Sequence, residues 1–150
     1  MPQVLKPFAF LLAGMLLLLA GGFAQAEQFI DQQGLRVHYN AMPSVGLSAE
    51  VARHYGIRRS SARSIVVITP QDADNDFAPL TASVTGRARN LVGQGKTLEF
   101  RQVREAQAIY YIAEISYAHM ETLRFEIDVE VEGRAAPVTV RFQQQFYRDE

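Results

Sequence analysis

The fold class that the sequence predicts is all-β: an antiparallel β-sandwich of immunoglobulin-like type, with about seven strands and one short helix between the first two long strands. Three observations lead there. Apolar and polar residues alternate with a period of two over most of the chain after Gln28. Turn-forming residues recur at intervals of roughly ten, as expected of short strands in a sandwich. Only one segment has helical spacing.

The first long strand is LRVHYNA, and the helical segment follows it. Ser48 is placed to cap the amino end of a helix over residues 49–55, and Glu50 sits in the first turn, where the helix dipole favours negative charge. Gly56 suits the left-handed position after the last turn. On this reading Leu47, Val51 and Tyr55 share the face that packs on the sheet, and Ile57 returns to the core. SIVVIT, LTASVTGRA and KTLEF are the next strands, separated by PQDADND and NLVGQG, with REAQ as a further break.

QAIYYIAEISY is apolar on both faces except at Glu114, which marks it as a middle strand covered on two sides. In TLRFEIDVEV the alternation directs Leu123, Phe125, Ile127, Val129 and Val131 inward. PVTVRFQQQF directs Val138, Val140, Phe142 and Phe146 the same way, and EGRAAP joins the two as a hairpin. The expected register sets Val131 opposite Val138, Val129 opposite Val140 and Ile127 opposite Phe142, with Asp128 opposite Arg141.

Ahead of these strands, Lys6 precedes the run FAFLLAGMLLLLAGGFA, and Ala24-Gln25-Ala26 closes it with small residues at the A-x-A positions. Residues 1–26 therefore read as a cleavable secretory signal peptide, which makes the protein periplasmic and leaves residues 27–150 as a single β-sandwich domain. The run falls short of the ~20 residues that span a bilayer, so no stable membrane insertion is expected after cleavage. The chain has no cysteine, which excludes disulfides, thiolate chemistry and a lipid-anchored amino terminus. Its 15 basic and 16 acidic residues give a formal net charge of −1, and losing Lys6 makes it one unit more negative, so nucleic acid is not an expected partner.

The combination of VHYNAMPS, a short helix ending in EVARHYGI, and RRS ahead of an apolar strand resembles the bacterial exported family catalogued as domain of unknown function 4426. The likeness extends over nearly all of the mature chain and is most specific at residues 37–40 and 55–60. It implies a small exported protein without an assigned activity, and it carries over no catalytic residue.

Four arginines and a histidine crowd the stretch EVARHYGIRRSSAR. Arg53, His54, Arg58, Arg59 and Arg63 form a candidate anion site, since guanidinium groups bind carboxylate and phosphate in a planar fork. His38 and Asn40 are candidate surface residues on the neighbouring strand. Asp72, Asp74 and Asp76 alternate as calcium ligands do, yet Phe77 and Ser83 stand where an EF-hand loop has its glycine and glutamate, so a solvated turn is expected. His38, Met42, His119 and Met120 are of types that hold copper, but their spacing is poor; a wet-face His38 and a core Met120 account for them.

No serine lies in a nucleophile-elbow pattern and no paired carboxylates stand out. The reading that follows is a non-enzymatic binding or accessory module of the cell envelope, needing no cofactor and recognising an envelope protein or an anionic small molecule. The alternative is a hydrolase or a metal-handling protein, for copper or calcium.

Overall fold

The computed structural model describes residues 28–148; the expected leader at residues 1–26 and its junction with Glu27 lie outside them. The described residues form ten strands, three more than the sequence suggests: β1 (Phe29–Gln32), β2 (Leu35–Pro43), β3 (Arg63–Asp72), β4 (Ala78–Pro79), β5 (Ser83–Asn90), β6 (Gly95–Leu98), β7 (Arg101–Glu105), β8 (Ala108–Ser116), β9 (Glu121–Glu130) and β10 (Val138–Phe146). A 3-10 turn, Ser44–Gly46, and a helix, α1 (Ala49–His54), lie between β2 and β3. The additional strands are β1, β4 and β7. The first two have four and two residues, and β7 takes in Arg104 and Glu105, which read as part of a break.

All pairings are antiparallel. One sheet runs β1-β2-β3-β8-β7, with β4 beside the far end of β3, and the other runs β10-β9-β5-β6. The chain crosses between sheets at Glu99 and Phe100, so the strand expected over KTLEF ends two residues early, at Leu98. Pro70, read as part of a turn, lies within β3. It falls after the β8 ladder has ended at Ile68 and before β4 begins at Gln71, where its missing N–H breaks no pairing on that edge.

The main core lies between the sheets. Leu35, Val37, Val66, Ile68, Tyr111 and Ala113 face Leu123, Phe125, Ile127, Val129, Val138 and Val140 across it. Phe125 and Phe142 stack at 4.6 Å, and Tyr39 of the opposite sheet stacks on Phe142 at 4.9 Å. Every residue expected inward on β9 is buried, as is Val131 just beyond it. The register differs from expectation by two: Val129 pairs with Val138, Ile127 with Val140, Phe125 with Phe142, and Asp128 with Thr139, leaving Arg141 opposite Glu126. Arg134 N–H donates to Val131 O at 3.1 Å, closing a turn that removes Val131 from the ladder.

β3 and β8 are apolar on both faces. On the side away from the main core, Ile65 and Ile112 join Ala52 and Ile57 in a second cluster, with Met42, Leu47, Tyr55, Val67, Val103 and Tyr110 packed around it. The 3-10 turn and α1 therefore form a corner that covers the outer face of the six-stranded sheet. The helix turns a different residue inward than expected: Ala52 is 2% exposed and Val51 40%. Ala52 lies one position on, on the face that Leu47 and Tyr55 flank, and its small side chain lets the short helix lie close to Ile65 and Ile112.

Because Ile57 closes this second core, Ile57→Ala should cost about 3 kcal/mol, whereas Val51→Ala should stay within about 0.5 kcal/mol. Chemical denaturation of the two variants checks this. Equal losses would show that the helix is turned as the spacing alone suggests.

Candidate functional site

The corner is built by local hydrogen bonds. Ser48 Oγ accepts from Val51 N–H at 3.2 Å, and Glu50 lies in the first turn. At the other end Gly56 has φ +66°, Gly56 N–H donates to Arg53 O at 3.2 Å and Ile57 N–H to Ala52 O at 2.7 Å. This is a Schellman motif, and its usual apolar contact is the one between Ile57 and Ala52. Fully buried Ser44 ties the rest of the stretch down: its hydroxyl accepts from Ser60 N–H at 2.9 Å and lies 2.9 Å from Arg58 O, to which it donates.

Side chains around the corner divide by charge. His54 Nε2 lies 2.9 Å from Glu105 Oε1, and the Tyr55 hydroxyl also interacts with that carboxyl. Arg58 N–H donates to Glu114 Oε1 at 3.4 Å, which accounts for the one acidic residue in the otherwise apolar β8. Arg101 Nη2 donates to Tyr55 O, placing a cation at the carboxyl end of α1. Arg59 Nη2 donates to Val45 O at 3.2 Å. Arg53, Arg58 and Arg63 make no side-chain hydrogen bond or ion pair among the described residues. Arg53, Arg58 and Arg59 are exposed; Arg63, half-buried at the start of β3, shares the outer face with Ile65 and Val67.

All five residues of the candidate anion site therefore sit on or beside the same cover. His38 and Asn40 lie on the same outer face, lining a groove of about 670 Å³ with Met42, Val67 and Thr69. His38 Nε2 is 3.0 Å from Gln71 Oε1, and the Phe29 ring packs against the imidazole at 5.5 Å. The lining contains neither His54 nor a carboxylate. Ser44, Glu105 and Glu114 organise this region; the sequence marked Glu114 only as the polar exception in an apolar strand and gave none of the three a role. Their partners lie 14 to 56 residues away, so no local pattern marks those roles.

The other ligand candidates are dispersed. Asp72 Oδ1 accepts from Asp74 N–H at 3.0 Å and lies 3.5 Å from Arg134 Nη2, while Asp76 and Phe77 turn through φ of 50° and 53°. His119 Nδ1 accepts from Arg148 N–H at 3.1 Å. Met120, expected in the core, is exposed, because it occupies the left-handed corner before β9 at φ 59°. Among the described residues no group of three or more His, Cys, Asp or Glu side chains is placed to hold a metal ion. None of their helices is long and apolar enough to cross a membrane.

The family model described as Domain of unknown function (DUF4426) matches residues 30–149. The chain belongs to this family. A DUF4426 family protein from Pseudomonas aeruginosa PAO1 shares 37% identity, over 85% of this chain and all of that one, with a TM-score of 0.72. Two structures of FetP from uropathogenic Escherichia coli strain F11, one a copper-bound variant and one as isolated, each match with a TM-score of 0.59 at 9% identity. They cover 83% of this chain and 97% and 96% of their own, and the likeness is one of fold. No curated protein matches the chain.

Donation from His54, then from Tyr55, holds the Glu105 carboxyl below its usual 4.5 against the opposing effect of burial. Burial, then donation to Glu105, raises the Tyr55 hydroxyl above its usual 10.0. A depressed carboxyl stabilises the fold above its unfolded pKa, and that contribution is lost as pH falls through the folded value. Glu105→Gln should therefore lower the melting temperature slightly at pH 6, and the gap to the parent should close in the acid range below 4.5. Melting curves across pH 3 to 7 check this; a gap that widens on acidification would contradict the assignment.

Proposed function

We propose that this protein is an exported, periplasmic binding or accessory module of the cell envelope, without catalytic activity, that recognises an anionic ligand or the acidic surface of a protein partner through its arginine-bearing corner. The observation that carries this reading is the surplus of positive charge there. Glu105 is engaged by His54 and Tyr55, and Glu114 accepts from the Arg58 amide, whereas the guanidinium groups of Arg53, Arg58 and Arg63 have no anionic partner among the described residues. Such groups on a rigid, partly apolar mount favour bidentate recognition of carboxylate or phosphate. The A-x-A triplet supports export, and with it cleavage before Glu27.

Metal handling is the second reading. It rests on the fold likeness to copper-bound FetP and on the shared groove of His38 and Met42. One imidazole, already bonded to Gln71, and one thioether make a sparse donor set for copper, and the corner carries the first reading further.

The double variant Arg58→Gln/Arg59→Gln separates scaffold from recognition. Its melting temperature should match the parent's within about 2 °C, since exposed cations contribute little to stability. Its recovery of partners from envelope extract should fall to background, and the intact mass of the exported protein should correspond to residues 27–150. A double variant that unfolds, or that retrieves every partner the parent does, would remove the corner from the binding role. Retention of residues 1–26 would overturn the periplasmic address.

A further inference from the structure

The outer face of the four-stranded sheet, on the opposite side of the sandwich from the corner, carries a second basic surface. Register brings together arginines far apart in sequence. Arg87 on β5 and Arg141 on β10 flank Glu126 on β9, with contacts of 2.7 Å and 3.2 Å to its two carboxylate oxygens. In the next row Arg89 stands directly opposite Arg124, which in turn faces Gln143. Like charges directly opposed across a ladder are destabilising, and neither the Arg89 nor the Arg124 guanidinium has a hydrogen bond or ion pair among the described residues. Glu126 is the only acid lining a shallow trough of about 570 Å³ that these four arginines share.

At the end of the trough the β5–β6 hairpin exposes two aliphatic side chains, Leu91 at 62% and Val92 at 81%. The hairpin is held in place. Asn90 exchanges backbone and side-chain hydrogen bonds with Gln94, and Asn90 Nδ2 donates to Glu121 Oε1 at 3.2 Å. Lys96 Nζ lies 3.5 Å from Glu121 Oε2, anchoring the second arm. A fixed apolar tip beside unneutralised guanidinium groups, on a chain of net negative charge, is the complement of one surface chemistry: phosphodiester anions over a hydrocarbon layer.

We infer that this face docks on the anionic surface of a phospholipid bilayer, with Arg89 and Arg124 at headgroup phosphates and Leu91 and Val92 in the interfacial layer. The docking is peripheral, and it is independent of the binding role assigned to the corner. It also gives a role to an arginine pair that would otherwise only weaken the sheet.

The test is sedimentation of the mature chain with vesicles of phosphatidylcholine alone and with phosphatidylglycerol added at 30 mol%. The parent should bind the anionic vesicles and not the neutral ones, and binding should weaken as salt is raised. Arg89→Gln/Arg124→Gln should reduce the partition coefficient about thirtyfold, since each basic residue near such a surface contributes roughly a fivefold factor. Arg89→Lys/Arg124→Lys should retain most of the binding, and Leu91→Ser/Val92→Ser should weaken it while keeping its salt dependence. The glutamine variant should melt no lower than the parent, so loss of binding is not loss of fold. Equal binding to neutral vesicles, unchanged binding of the glutamine variant, or binding to a soluble polyanion such as heparin with none to vesicles would each overturn the assignment.

Discussion

β3 and β8 carry apolar side chains on both faces, and most of the molecule's local architecture follows from having to cover the second one. A sheet with one dry face can leave the other to water; this one cannot, because Ile65, Val67, Tyr110 and Ile112 lie outside the main core. The chain meets the requirement with the segment between β2 and β3. Burial of a side chain such as Ile57 is worth about 1.5–3 kcal/mol, enough to hold a two-turn helix that would not form alone in water. The Schellman motif at Gly56 delivers Ile57 to the cluster, and the buried Ser44 hydroxyl fixes the chain that leaves it. The loop is thereby a structural element.

This division explains why the arginines of the corner stand out. Apolar residues set its position, so the cations are not required for the fold and are available for the recognition role proposed for them. Glu105 and Glu114, which could neutralise them, are instead directed to His54, Tyr55 and the Arg58 amide. A rigid basic surface results, on a fold shared with proteins of the same family and, at 9% identity, with FetP. Such distance in sequence means that the sandwich constrains little about what its surfaces bind.

Facing was legible in the sequence, and register was not. The alternation in β9 and β10 assigns every buried side chain correctly, since a strand has period two. A shift of two residues leaves each side chain on its own face, so alternation cannot detect it; the Val131–Arg134 turn decides. β1 and β4 are too short to show a period, and β7 is masked by charge on an edge strand. The corner's candidate residues were legible because they are contiguous. Arg87, Arg89, Arg124 and Arg141 were not, because only the ladder brings them into one surface. Val51 and Met120 were misplaced for local reasons: a two-turn helix leaves the facing residue ambiguous by one position, and a left-handed corner turns Met120 outward.

Native-state hydrogen exchange tests the central claim, that the corner is an integral cover of the second core. The amides of Gly56, Ile57 and Ser60, bonded to Arg53 O, Ala52 O and Ser44 Oγ, should be strongly protected and should approach the protection of the β3 and β8 amides. Exchange of these three at the rate of unstructured peptide, with β3 and β8 still protected, would show that the sheet stands without its cover and would contradict the account.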